Sequence, residues 1–345
     1  MGKTTIEWVG PEGYTFSPWE GCTKISEGCK FCYAESLNHR FGKDNWGKGK
    51  TRRRTSPAYW KQPLKWNREA ETIAREEAAN NMELGPSRNP IHRPRVFPSL
   101  CDPFDDEVPI EWLADFLDLI RGTPNLDWLI LTKRPQNIIE RIDWITNKEI
   151  HKNPSDENSL REWLVTWTCS DAPKNLWLGV SVENQATADE RIPLLLQIPA
   201  KVRFVSYEPA LSVVDFKKLL RCPRDHNGDG DCDFHKQGCP QIHQVIVGGE
   251  SGPHARPCNL DWIRSTVRQC REAGCCCFVK QLGSNAVVRN DAEDDRLWPG
   301  ATIPFRDDYE PTHQGEIAPL RLRHPKGGDM EEWPEDLRVR EFPKG

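Results

Sequence analysis

Three cysteines, Cys22, Cys29 and Cys32, stand in the segment Gly-Cys-Thr-Lys-Ile-Ser-Glu-Gly-Cys-Lys-Phe-Cys-Tyr. Two residues separate Cys29 from Cys32, so both thiolates can turn toward one metal centre. Six residues separate Cys22 from Cys29, and Gly21 and Gly28 let the intervening loop fold back. Structural zinc and ordinary ferredoxin clusters take four protein ligands. Three thiolates on a four-iron cluster leave one iron open to a substrate or cofactor. The spacing is equally that of a zinc site completed by a distant fourth ligand, or of three buried thiols.

Other residues carry chemistry in smaller groups. Lys133 and Arg134, in Thr-Lys-Arg-Pro, place two cations where they can hold a phosphate or carboxylate, and Lys280 can serve the same anion. A surface ion pair is the plainer reading of each. Glu208, before Pro209, can bind ribose or act in acid–base chemistry, or pair with Arg203. Gly248-Gly249-Glu250 combines close backbone approach with a carboxylate able to accept bonds from an ammonium or ribose hydroxyls; a tight turn with a capping Glu is the alternative.

Cys222, His226, Cys232, His235 and Cys239 supply more than four zinc-type ligands, which makes a second zinc site one reading and an unmetallated polar loop the other. Asp225, Asn227 and Asp229 begin like a calcium loop, but Lys236 stands where a bidentate Glu is needed. Cys275, Cys276 and Cys277 read as small apolar residues of a last strand, alternating between its faces. Arg52, Arg53 and Arg54 interleave with Trp46, Tyr59, Trp60 and Trp66, which suits nucleotide or single-strand binding as well as a cation–π-packed surface.

The elements that must position these groups repeat one grammar. Short apolar runs at 95–100, 128–131, 176–182, 202–206, 244–247 and 276–279 each end in polar residues. They lack strict alternation, as strands buried on both faces do. Helical stretches are expected at 33–41, 67–84, 110–121, 136–145, 186–197 and 262–273. Strands alternating with helices give right-handed βαβ units, and six or seven of them close naturally as a partial or irregular (β/α) barrel. The barrel should span residues 1–283, with a Cys/His-rich insertion at about 221–243 and an irregular C-terminal extension over 284–345. Functional groups should gather at the C-terminal strand ends: Ser99, Asp102, Thr132, Lys133, Arg134, Ser181, Glu183, Glu208, Gly248 to Ser251, Lys280 and Gln281.

The cysteine segment resembles the radical S-adenosylmethionine superfamily, in which an aromatic residue precedes the last cysteine, as Phe31 does here. The longer first spacing is similar to that of its phage-associated three-cysteine-motif branch. So are Leu-Thr-Lys-Arg-Pro (131–135), Trp-Leu-Gly-Val-Ser-Val-Glu (177–183), Arg-Phe-Val-Ser-Tyr-Glu-Pro (203–209), Val-Gly-Gly-Glu-Ser-Gly (247–252) and the stretch 332–340. The resemblance implies a radical-SAM type of barrel, with a 4Fe–4S cluster on Cys22, Cys29 and Cys32. S-adenosyl-L-methionine would bind the open iron and be cleaved to a 5′-deoxyadenosyl radical. Phe31 would shield the cluster and Tyr33 stack nearby. Gly248, Gly249 and Glu250 would contact the cofactor, although in the superfamily such a segment follows an earlier strand. An electron donor is implied. The substrate class favoured is a nucleic acid or nucleotide; the rival reading is a non-catalytic zinc or iron–sulfur protein that binds nucleic acid or a partner protein.

Bulk properties bound the rest. The 345 residues carry a net charge of −5, which gives no global attraction to phosphate. Hydrophobic residues at 37% permit a proper core, and no run approaches the roughly 20 apolar residues of a membrane span. Thirteen cysteines in a chain this large, without an apolar leader, lead us to expect a cytoplasmic protein with free or metal-bound thiols.

Overall fold

The computed structural model describes residues 3–84, 93–148, 159–169, 171–221, 241–289 and 317–343. Seven strands form one sheet: β1 (Tyr14–Thr15), β2 (Arg95–Phe97), β3 (Asp127–Thr132), β4 (Leu176–Val182), β5 (Val202–Tyr207), β6 (Gln244–Gly248) and β7 (Cys276–Gln281). They pair in chain order and all in parallel, and β1 does not meet β7. The result is a curled half-barrel rather than a closed ring. Every residue of β4 and β5 is buried, the condition under which strands lose strict apolar–polar alternation.

The helices longer than one turn are α1 (Tyr33–Arg40), α2 (Gln62–Leu84), α3 (Ile110–Arg121), α4 (Asn137–Asn147), α5 (Leu160–Cys169), α6 (Gln185–Leu196) and α7 (Leu260–Ala273). α6 opens on a reciprocal cap between Asn184 and Thr187. α7 ends at Gly274, whose φ of 67° is the left-handed conformation that terminates a helix at little cost to glycine.

The two-residue period of the strands divides the interior. Leu176, Leu178, Val180, Val205, Val245 and Val279 face the helices in the large core. The alternate residues Leu129, Trp177, Phe204, Ile246 and Phe278 form a second, smaller core with Trp8 and Val9. Continuing along that second face toward the strand ends, Trp177 is followed by Gly179 and Ser181, Phe204 by Ser206 and Glu208, and Phe278 by Lys280. The face changes from an apolar plug to a polar basin within two residues. Gly179 is required there, because a Cβ would lie 2.5 Å from the Phe204 ring.

The C-terminal region packs onto this frame. Ala286–Arg289 pairs with Cys258–Asn259 and with Ile317–Pro319. Further on, Val279 N donates to Val339 O at 2.8 Å and Glu341 N to Cys277 O at 2.9 Å. The free edge of β7 is thereby covered, which removes a surface that would otherwise template strand pairing. Cys275 and Cys277 are buried and Cys276 is half-buried, as alternation requires. The Cys222, His226, Cys232, His235 and Cys239 group lies outside the described residues.

Candidate functional site

A cavity of about 700 Å³ opens at the C-terminal ends of the strands. Its walls include Cys22, Cys29, Phe31, Cys32 and Tyr33 from the cysteine loop, and Ser99, Cys101 and Asp102 after β2. Lys133 and Arg134, Ser181, Ser206 and Glu208, Gly249 to Ser251, Lys280 and Gln281 follow from the later strand ends, with His324 and Lys326 from the C-terminal segment. Sequence reasoning placed most of these residues at strand ends, and the structure gathers them around one space.

The cysteine loop owes its position to charged groups that reach it from distant elements. Arg134 is 1% exposed. Its Nη2 donates to Thr23 O at 2.7 Å, its Nη1 to Asp102 Oδ2 at 3.0 Å, and the same Nη1 lies 3.8 Å from Cys22 Sγ. Burial opposes its charge, but Asp102, Cys22 and Asp105 outweigh burial and hold its proton more firmly than usual. The guanidinium is therefore committed to holding the loop, which corrects the expectation that it clamps an anion. Arg52 reinforces the same point: its Nη2 donates to Thr23 Oγ1 at 2.6 Å and its Nε to the buried Asp105 at 2.7 Å.

Glu183 holds the middle of the loop. It is fully buried and accepts from Gly28 N at 3.4 Å and from Arg191 Nη1 at 3.2 Å, with Lys133 Nζ 3.7 Å away. Burial pushes its carboxyl up, yet Lys133, Ser26, Arg191 and the Gly28 amide together hold it below its ordinary value. Lys133 also donates to Ser181 Oγ.

Glu250 acts through an intermediary. Arg256 spans both its oxygens, at 2.8 Å and 3.0 Å, and donates from Nη1 to Glu27 O at 3.1 Å. The Arg256 guanidinium also sits 5.4 Å from the Phe31 ring centre. The carboxylate expected to receive a ligand ammonium is thus engaged by an arginine. Gly249 is required by the packing of the chain on itself, since a Cβ there would lie 2.3 Å from Leu282 O. Gly249→Ala should cost about 1–3 kcal/mol, because a backbone carbonyl cannot swing aside as a side chain can. Urea unfolding of the purified variant measures it.

Glu208 and Lys280, read separately in the sequence, pair with each other at 3.0 Å. Arg203, the partner considered for Glu208, donates instead to Ile198 O. The Tyr33 hydroxyl donates to Ser99 O at 2.5 Å, and the residue is 59% exposed. The basic–aromatic stretch is spent on packing: Arg54 lies 4.5 Å over Trp60 and pairs with Asp115, and Trp66 stacks on Tyr14 at 4.2 Å.

The surroundings of Cys22 and Cys32 do not favour their thiolates. Burial, followed by Asp102 and Asp105, raises the Cys22 thiol against the pull of Arg134. Burial also raises Cys32, against the amides of Glu35 and Ala34. Metal binding would have to displace those protons. Among the described residues no group of three or more His, Cys, Asp or Glu side chains is gathered around one ion position. A cubane cluster takes each thiolate on a different iron, so its ligands must face one cavity rather than one point. Three soft donors on one cavity wall fit that requirement. Cys101, a fourth thiol on the wall, escaped sequence reasoning although it directly follows the apolar run 95–100. Arg256, His324 and Lys326 carried no local signal.

A family model described as "Protein of unknown function (DUF5131)" matches residues 3–305. No curated protein matches the chain, and no solved structure does.

Proposed function

The chain belongs to the DUF5131 family, and from its cysteine-walled cavity we propose that it is a radical S-adenosylmethionine-like iron–sulfur enzyme. One observation carries the reading: Cys22, Cys29 and Cys32 line a single cavity at the C-terminal mouth of a parallel half-barrel. That mouth is where β/α barrels place their chemistry. Cys22, Cys29 and Cys32 would hold a 4Fe–4S cluster with one iron left open. When bound, the cluster supplies one low-potential electron for cleaving the sulfonium of S-adenosylmethionine to methionine and a 5′-deoxyadenosyl radical.

The chain's own residues do the positioning. Arg134, Glu183 and Arg256 fix the loop at three points, so the thiols are set before any ligand arrives. Phe31, backed by Arg256, screens the loop on the cavity side. Glu208 and Lys280 present opposite charges side by side, which suits a zwitterionic head group. The substrate class remains that of the sequence reading, a nucleic acid or nucleotide.

Anaerobic reconstitution with iron and sulfide, followed by electron paramagnetic resonance, tests the proposal. The reduced protein should give a 4Fe–4S signal that shifts on adding S-adenosylmethionine and vanishes when all three cysteines become alanine. Tight zinc at these cysteines, with no cluster and no response to S-adenosylmethionine, would leave a non-catalytic metal protein instead.

A further inference from the structure

Residues 324–328 of the C-terminal segment form a turn on the rim of the cavity, and His324 and Lys326 line its wall. The turn faces solvent, yet its backbone is firmly tied. Leu282 N donates to Gly327 O at 2.9 Å and Gly283 N to Lys326 O at 3.2 Å, so the turn sits on the segment that leaves β7. Trp333 Nε1 donates to the same Gly327 O at 2.9 Å. Ser284 joins the turn to the loop after β6: its Oγ donates to Pro325 O at 2.6 Å and accepts from Gly252 N at 3.0 Å. Ser251, beside that amide, lines the cavity as well. These bonds set Ser251, His324 and Lys326 along one edge of the mouth, at its β6–β7 end.

Each of the three has a polar group left over. The His324 ring turns its Nδ1 to the turn itself, accepting from Gly328 N at 2.9 Å and Lys326 N at 3.3 Å. A ring nitrogen that accepts carries no proton, so the N–H of this imidazole is Nε2, on the edge away from those amides. The Ser251 hydroxyl has no hydrogen-bond partner among the described residues. Lys326 has no ion pair among them, which sets it apart from the other cations of the wall. Lys24 pairs with Glu35, Lys133 with Glu183, Arg134 with Asp102 and Lys280 with Glu208. Glu7 also lines the wall but forms no ion pair with Lys326.

We propose that this edge is a subsite for a phosphate group of the substrate, held by Lys326 Nζ, His324 Nε2–H and the Ser251 hydroxyl. One positive charge and two neutral donors complement an oxyanion, which accepts from all three. The choice of phosphate among oxyanions rests on the nucleotide reading above. The clamped backbone and the fixed ring set their donors before a ligand arrives, so less ordering entropy opposes binding.

Calorimetric titration of the full-length protein tests this. The probes are the four deoxynucleoside 5′-monophosphates, their nucleosides, inorganic phosphate and acetate. The intact protein should bind monophosphates more tightly than nucleosides. Lys326→Gln should weaken monophosphate binding about tenfold, lessen its dependence on salt and leave nucleoside binding unchanged. His324→Asn keeps an acceptor for the two amides and lacks the Nε2 donor, and it should weaken monophosphates about fivefold. Both side chains are exposed, so neither change threatens the fold. Monophosphates bound equally well by the intact protein and both variants would place the phosphate elsewhere and overturn the subsite alone. Lys326-dependent binding of acetate, with no binding of phosphate or monophosphates, overturns the phosphate assignment and the nucleotide reading together. None of these titrations requires a cluster, so failure here is distinct from failure of the iron–sulfur reading, which the resonance experiment decides.

Discussion

Replacing Arg134 by methionine is expected to lower the unfolding free energy by about 3–5 kcal/mol, the usual cost of removing one member of a buried ionic group. Methionine keeps most of the length and fills the space, so the loss is electrostatic rather than a cavity. It leaves Asp105, side chain 0% exposed, with only Arg52 as a counter-charge. It also frees Thr23 O and removes the cation beside Cys22. Burial already raises the Asp105 carboxyl in the intact protein, in spite of Arg52 and Arg134. Losing Arg134 raises it further. A carboxyl whose folded pKa lies above its unfolded value binds its proton more tightly in the folded state, so its contribution to stability falls as pH rises. The deficit of the variant should be largest near neutral pH and shrink on acidification. Chemical denaturation at a series of pH values measures this, and iron uptake during reconstitution should fall in parallel. An unchanged denaturation midpoint at pH 7 would show that the arginine is not what sets the loop.

The frame of the half-barrel was legible because its strands declare themselves locally. β4 matches the sequence expectation residue for residue, and α3 does too, since a two-sided apolar run and a strongly amphipathic helix need no knowledge of partners. Helix α5 was not anticipated. Val165, Thr166 and Thr168 are weak helix formers, and the neighbouring Trp163 and Trp167 obscure the pattern further. The usable signal was Leu160, Leu164 and Trp167, buried at helical spacing. The cysteines were found from their types alone, but what holds them was not. Arg134 meets Thr23 across 111 residues, Glu183 meets Gly28 across 155, and Arg256 meets Glu27 across 229. No local pattern encodes contacts of that separation. The same fact changed the meaning of the strand-end residues. Read as a ligand-lined mouth, two of them, Arg134 and Glu183, turn out to hold the cysteine loop directly, while Lys133, Ser181, Glu208, Lys280 and Gln281 line the basin.

Glu183→Gln should cost about 3 kcal/mol at neutral pH and loosen the middle of the cysteine loop. Glutamine is the same size and its amide oxygen can still accept from Gly28 N, so any effect reports the charge. What is lost is the counter-charge of Arg191, whose side chain is 4% exposed, and of the half-buried Lys133. The pH dependence follows from the direction of the shift. The Glu183 carboxyl is held below its ordinary value in the folded protein, because its cationic and hydrogen-bonding partners outweigh burial. Its stabilisation is therefore complete above the unfolded value of about 4.3 and is lost as pH falls through the lower folded value. The gap between the intact protein and the variant should stay constant from pH 7 to about 5 and close only in stronger acid. This separates it from Arg134→Met, whose deficit begins to shrink at higher pH because protonation of Asp105 rescues the variant instead of weakening the intact protein. Two denaturation series, one per variant, distinguish the cases. A Glu183→Gln gap that narrows between pH 7 and 6 would mean that a different group, not this carboxylate, carries the coupling between β4 and the cysteine loop.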